Sequence, residues 1–319
     1  MRITCLIASL CLALPALAQG QDAVADRLEQ AFRDWADTHD VARGALAATY
    51  QGNVVSQIGI GQPADTPMEL ASLSKAITGT CAMSLIAGGD WHEATTTADV
   101  LGQGPDVTVG QLMTHTSGYV NDATQMAMPA MLDAPDHPGI VDALLELGPP
   151  GKAGTYVYSN ENYAILGRMI SVETGQTYGR ACADRVLRPA GVEAEVSPRT
   201  GAFAAFGGWA MPVADYAKFH AHHFGEGSIL GQAPEGAPMA EMGGGAFYGP
   251  GTIWRAFRGG HNFWHFGALC FPGRMNTGAF AVQWHGGWGV SVAYNACVDW
   301  PAMAELDGVL AAAVFGEQK

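Results

Sequence analysis

The sequence predicts an α+β protein, an α/β sandwich with an antiparallel sheet, into which an all-helical lobe is inserted. Three observations predict it. An apolar-periodic helix and a hairpin open the chain, and helical segments between Gly/Pro-rich loops run from Ala71 to about Arg199 without alternating strand runs. Short apolar and aromatic strands and a last helix then close it. That order sets residues 19–70 and 200–319 as a sheet subdomain around a helical subdomain of residues 71–199.

The elements follow in turn. Met1-Arg2, an apolar run from Ile3 to Leu17 and the small-residue site Ala16-Leu17-Ala18 read as a secretory signal (residues 1–18) cut before Gln19. That run is too short to span a membrane, so a periplasmic or secreted protein is expected. From Asp22 to His39, Val24, Leu28, Ala31, Phe32 and Trp35 recur at helical spacing, and Gly44 to Ile60 reads as two strands around Gln51-Gly52-Asn53. Gly59-Ile60-Gly61-Gln62-Pro63-Ala64 imitates a dinucleotide fingerprint, but Pro63 and Pro67 do not open the helix that motif needs, so it reads as a loop. Ala71 to Ala87 is apolar enough for a buried helix and stops at Gly88-Gly89. Late in the chain, Phe280–Trp284 and Gly289–Tyr294 read as antiparallel neighbours around His285-Gly286-Gly287, and Pro301 starts a helix through Val314.

Composition narrows the function. The net charge of −14 disfavours nucleic acid or anionic lipid as a partner. Of six cysteines, Cys5 and Cys11 would leave with the signal; Cys81, Cys182, Cys270 and Cys297 would remain where disulfides persist. Four cysteines allow three pairings, and Cys270 with Cys297 is favoured because they flank a probable hairpin.

The chemistry starts at Ser72 and Lys75. A cation near the start of an uncharged, buried helix is disfavoured by low dielectric and by the helix dipole, so it tends to be neutral. Positions i and i+3 share a helix face, which lets neutral Lys75 accept the proton of Ser72. This is the S-x-x-K logic of penicillin-recognising serine acyltransferases. The bland alternative is a surface lysine at a fraying helix start.

Three further stretches bear on that choice. Gln111-Leu112-Met113-Thr114-His115-Thr116-Ser117-Gly118 resembles the L-L-T-H-T-S-G signature of the class C-type β-lactamase-related family. Tyr156-Val157-Tyr158-Ser159-Asn160 through Leu166-Gly167, with Thr174-Gly175, resembles its Y-S-N block, and Gly207-Gly208 to Asp215 and Phe219 resembles its G-G…D…F segment. The ordered blocks span roughly Leu46 to Asn295. The resemblance implies a β-lactamase/transpeptidase-like fold and a small-molecule acyl substrate; no cofactor, no metal and a monomer are expected. It further implies that Ser72 is the acylated nucleophile, Lys75 its base, Tyr158 the proton shuttle and Asn160 a hydrogen-bond partner of Lys75 or of the substrate amide. His115 and Ser117 are expected to fix a turn.

The family's third element, K-T-G or H-x-G on a strand lining the cleft, has two candidates. His265-Phe266-Gly267 precedes the two expected strands, whereas His285-Gly286-Gly287 falls in their turn, so His265 and Gly267 are chosen over His285. The amides of Ser72 and Ala268 would then form the oxyanion hole. A histidine there departs from the β-lactamase pattern, because a lysine would stay charged and attract a carboxylate. The last helix supplies no cation, which leaves Arg258 and Arg274 as the nearest in sequence.

Other signals compete poorly. His220 and His223 share a helix face, but no carboxylate or cysteine partner is evident, and Gly289-Val290-Ser291-Val292-Ala293 imitates a nucleophile elbow with a strand running through it. Trp254, Phe257, Phe263, Trp264, Phe266 and Phe271 read mainly as core, with Trp264, Phe266 and Phe271 expected as an apolar cleft wall beside His265. The expected activity is therefore an esterase or amidase on small neutral acyl compounds. D-stereospecific peptidase, weak β-lactamase, or a silent ligand-binding protein of the same fold are the alternatives.

Overall fold

A computed structural model describes residues 13–134 and 138–316. The expected signal, residues 1–18, lies largely outside the described residues. Helix α1 (Ala13–Thr38) leads into strands β1 (Gly44–Tyr50) and β2 (Asn53–Ile60), then the short strand β3 (Met68–Glu69). The helical stretch follows: α2 (Ser74–Gly88), α3 (Thr97–Leu101), α4 (Val109–Met113), α5 (Ala123–Met131), α6 (Pro138–Leu147), α7 (Asn160–Thr174) and α8 (Tyr178–Cys182). Next come β4 (Glu195–Val196), α9 (Ala204–Gly207), β5 (Trp209–Met211), α10 (Val213–Phe224), α11 (Ile229–Gln232), β6 (Ala240–Gly243), β7 (Ala246–Tyr248) and β8 (Ile253–Phe257). Strands β9 (Gly260–Phe271), β10 (Met275–Gln283) and β11 (Trp288–Tyr294) and helix α12 (Trp300–Phe315) complete the chain.

Eight strands form one antiparallel sheet in the order β2-β1-β11-β10-β9-β8-β7-β6. Gln51 (φ 49°) and Gly52 (φ 80°) take the two left-handed positions of the β1–β2 turn, which matches the twist of a two-residue hairpin. On one face of the sheet pack α1 and α12. Leu28, Phe32 and Trp35 of α1 meet Leu306 and Leu310 of α12 above Leu46, Phe280 and Val292, and each fully buried Leu or Phe contributes about 1.5–3 kcal/mol. Trp35 Nε1 donates to Ala302 O at 3.0 Å, so the buried indole carries no unpaired donor. The α2–α9 region and α10 lie on the other face and share the larger core.

Two parts of the architecture were not expected. Strands β6–β8 arise in a glycine-rich stretch without clean alternation. A second, three-stranded sheet, β3-β5-β4, sits at the base of the lobe, its strands two or three residues long and too short to show a period. Both cysteine pairs are closed: Cys270–Cys297, as favoured, and Cys81–Cys182, which ties α2 to α8 across 101 residues of chain.

The cleft wall expected of Trp264, Phe266 and Phe271 is corrected. Successive side chains on a strand alternate faces, so Trp264 and Phe266 point opposite to His265. Phe266 stacks on Phe280 at 4.5 Å and meets Trp300 at 5.3 Å, beneath the terminal helices. Phe271 shares the face of His265 but is buried against Phe203.

Candidate active site

The site forms where the lobe meets β9. Strand β3 is anchored by Glu69, whose carboxylate accepts from Ser197 Oγ at 2.6 Å and Thr200 Oγ1 at 2.7 Å. The chain must then turn into α2 within a few residues. Ala71 takes φ 47°, a left-handed conformation that costs a non-glycine residue about 1–3 kcal/mol, and a 3₁₀ turn, Ala71–Leu73, carries Ser72 into the helix. Strand β8 pairs with β9 only as far as Trp264, so beyond that point the edge of β9 faces this turn. Gly267 permits the approach, since a Cβ there would sit 2.8 Å from Leu70 O and 2.9 Å from Ser72 N. Ala268 follows on the same strand, opposite Gly278.

Lys75, one turn into the segment, is fully buried. Its Nζ lies 3.1 Å from Ser72 Oγ, 2.7 Å from Asn160 Oδ1 and 2.8 Å from Phe206 O. Burial lowers its pKa to about 7, against the pull of Asp122, which raises it. The three partners decide what the neutral amine does. Amide and peptide oxygens only accept, so they keep the two remaining N–H groups, and the lone pair is left facing the one partner able to donate, Ser72.

Asn160 begins α7, capped by Ser159. Its Nδ2 donates to Asp122 Oδ2 at 3.2 Å and Gln125 Oε1 at 3.3 Å, which turns Oδ1 toward Lys75. Tyr158 precedes it, its ring 4.9 Å from Lys75 Nζ and its hydroxyl near Ser72. Burial of that hydroxyl raises the phenol's pKa, partly offset by Ser72, although 36% of the residue is exposed at the cleft.

His115 and Ser117 hold this segment from behind. Ser159 N donates to His115 Nδ1 at 3.2 Å, Val157 N donates to His115 O at 3.0 Å, and Ser117 Oγ donates to Asn162 Oδ1. With Nδ1 accepting, the proton of neutral His115 sits on Nε2, which has no hydrogen-bond acceptor among the described residues and lies among the rings of Tyr156, Tyr158, Tyr163 and Tyr248. Burial first, then Lys75 and His265, hold His115 well below its ordinary pKa.

His265 lies in the same cluster, its ring centroid 6.1 Å from that of Tyr158. Burial lowers its pKa to about 3, helped by Lys75, so it is neutral at pH 7. His285 instead stands in the β10–β11 turn with Nδ1 2.7 Å from Glu226. Arg274 is engaged elsewhere, by Asp133 at 3.3 Å and by Pro129 O. His223 Nε2 donates to Val186 O at 2.9 Å, and His220 is buried between Tyr216 and Phe224, with burial lowering its pKa to about 3.

Sequence reasoning thus named Ser72, Lys75, Tyr158, Asn160, His265 and Gly267, which the fold brings together. It missed Asp122, Gln125, Phe206 O and Tyr248. The first two stand between the Gln111–Gly118 and Tyr156–Asn160 stretches, outside both, and a carbonyl leaves no mark on the sequence.

An antiparallel sheet flanked by terminal helices, with a helical lobe and a buried lysine-serine pair at the junction, is a β-lactamase/transpeptidase-like fold. The chain matches the Beta-lactamase family over residues 25–300 and belongs to it. It is 29% identical over 219 residues to Penicillin-binding protein 4 of Amycolatopsis lactamdurans, a match covering 65% of this chain and 50% of that one, so the chain spans about half the relative's length. Similar solved structures include the octameric penicillin-binding protein homologue from Pyrococcus abyssi (TM-score 0.75, 18% identity, 92% of this chain and 77% of that chain). A beta-lactamase from Sulfitobacter sp. EE-36 gives a TM-score of 0.73 at 15% identity, over 93% of this chain and 99% of that chain. At such identities the structural likeness shows the fold.

Proposed function

We propose that this protein is a serine hydrolase that works through an acyl-enzyme. The observation that carries the reading is the partner set of Lys75, which leaves its lone pair nowhere to point but Ser72. Ser72 Oγ attacks the acyl carbon as its proton passes to Lys75 Nζ, and the carbonyl oxygen gathers charge between the amides of Ser72 and Ala268. Tyr158, kept protonated by its raised pKa, hands a proton to the leaving oxygen or nitrogen as that bond breaks and is reprotonated from Lys75. Water then cleaves the Ser72 ester by the reverse relay. A silent binding protein has no need of a lysine stripped of water and aimed at a serine.

The substrate we propose is a small neutral ester or amide. A β-lactam or a peptide C-terminus presents a carboxylate, and the groups nearest the site are poorly suited to meet it: Arg274 is held by Asp133, His265 is uncharged, and α12 contains no Lys or Arg. D-stereospecific peptidase and weak β-lactamase activity rank second, supported by the names of the penicillin-binding and beta-lactamase relatives. Export to the periplasm or medium is supported by the two disulfides. Comparing kcat/KM for a p-nitrophenyl ester, a D-Ala-D-Ala peptide and a chromogenic cephalosporin tests the ranking. Ester turnover should dominate; efficient cephalosporin turnover with negligible ester cleavage would reverse it.

A further inference from the structure

Tyr248 ends β7 behind His265, is fully buried, and takes no part in the acyl-transfer steps above. Its hydroxyl lies 3.4 Å from His265 Nε2 and neighbours that of Tyr163, which donates to Met113 O at 2.9 Å. The other ring nitrogen, His265 Nδ1, is 2.6 Å from Phe266 O. A carbonyl only accepts, so Nδ1 carries a proton, and Nε2 is the atom whose protonation separates neutral from cationic His265.

The hydroxyl chain has one free choice. Tyr163 has committed its proton to Met113 O, while Tyr248 has one proton and two neighbours able to take it. When His265 is neutral, Tyr248 donates to Nε2. When His265 is cationic, Nε2–H donates to the Tyr248 oxygen, and the Tyr248 proton turns toward Tyr163. His265 Nε2 is paired in both states, so one hydroxyl rotation accommodates the change of charge.

We propose that Tyr248 is a positioning residue that lets His265 take up a proton from solvent when a substrate bearing a carboxylate enters the cleft, and so extends turnover from neutral to anionic acyl compounds. The proposal rests on the acyl-enzyme reading of the site. Both ring nitrogens face protein atoms, so His265 acts on the carboxylate through its charge. Facing it are Lys75 from α2, Tyr158 before α7, His115 after α4, Tyr248 from β7 and His220 from α10. Burial keeps both other histidines neutral, and Lys75 opposes the new charge whenever it is itself protonated. The proton therefore arrives with the anion, in enzyme whose Lys75 is neutral, and leaves with the product.

The test compares mono-p-nitrophenyl adipate with p-nitrophenyl hexanoate, which share a leaving group and chain length and differ by a carboxylate. In the wild type, the adipate-to-hexanoate ratio of kcat/KM should fall as pH rises from about 6 to about 8. In Tyr248→Phe, which deletes the acceptor for Nε2–H, the ratio should drop about tenfold at the acid end and lose its pH dependence. A wild-type pH dependence in that variant would overturn the proposal. If Tyr248→Phe fails to fold, ¹⁵N-histidine spectra of the wild type decide: adipate should convert His265 to the imidazolium and adipamide should not, and identical spectra with both would overturn it. Failure of the underlying reading looks different, because hexanoate cleavage would then be absent or would survive Ser72→Ala.

Discussion

Asn160 turns its carbonyl to Lys75 at 2.7 Å because its amide nitrogen is already committed to Asp122 at 3.2 Å. Asp122 thus acts on the lysine twice, by orienting its acceptor and by raising its pKa through charge. In Asp122→Asn both actions weaken. The acid limb of kcat/KM against pH should move to lower pH, since the lysine loses a stabiliser of its charged form, and the plateau should fall about tenfold as Asn160 is freed to flip. An acid limb that stays in place would remove Asp122 from the electrostatics of the site.

The lowered pKa of Lys75 also marks the stability of the fold. Its pKa is about 7 when folded and near 10.5 when exposed, so between those values the unfolded chain binds a proton that the folded chain does not. Stability should therefore rise with pH across that window, and the penalty of burying the lysine is fully present below it. Urea midpoints of the wild type at about pH 6, 8 and 9.5 should show a rise that Lys75→Met lacks. The variant leaves Asn160 Oδ1 and Phe206 O without their donor, which lowers its stability at every pH but leaves the slope as the diagnostic. Equal slopes would mean that Lys75 is charged in the fold.

The nucleophile segment was legible in the sequence because its chemistry is local: Ser72 and Lys75 are three residues apart, and a cation in an apolar helix contradicts its surroundings. The hairpin at Gln51-Gly52 and the strands around Gly286-Gly287 were legible because turn chemistry is also local. What escaped were relations set by tertiary packing. Asp122 stands 38 residues before Asn160 in a loop, and Tyr248 is 17 residues from His265 on a strand whose glycine-rich flank hides any period. The apolar wall fails for a simpler reason: the aromatics that crowd the sequence around His265 obey the two-residue alternation of a strand, which sends Trp264 and Phe266 to the opposite core.

Gly267 is where β9 and the nucleophile turn come closest. A methyl group added there meets Leu70 O and Ser72 N within 3 Å, both backbone atoms that side-chain rotation cannot move away. Gly267→Ala should cost about 1–3 kcal/mol of stability and, by displacing Ser72 from the strand edge, about a hundredfold in kcat. Thermal melts and steady-state rates on the same sample separate the two. Undiminished kcat would mean that the edge of β9 does not serve the reacting carbonyl.

The mechanism depends on Ser72 being the attacking nucleophile, and intact-mass spectrometry with peptide mapping after exposure to a fluorophosphonate, which phosphonylates an activated serine with loss of fluoride, reads that directly. One adduct per chain is expected, located on Ser72, slowed strongly in Lys75→Met and absent in Ser72→Ala, with hydrolysis of p-nitrophenyl hexanoate lost in parallel. An adduct on another residue, or ester hydrolysis that continues in Ser72→Ala, would contradict it.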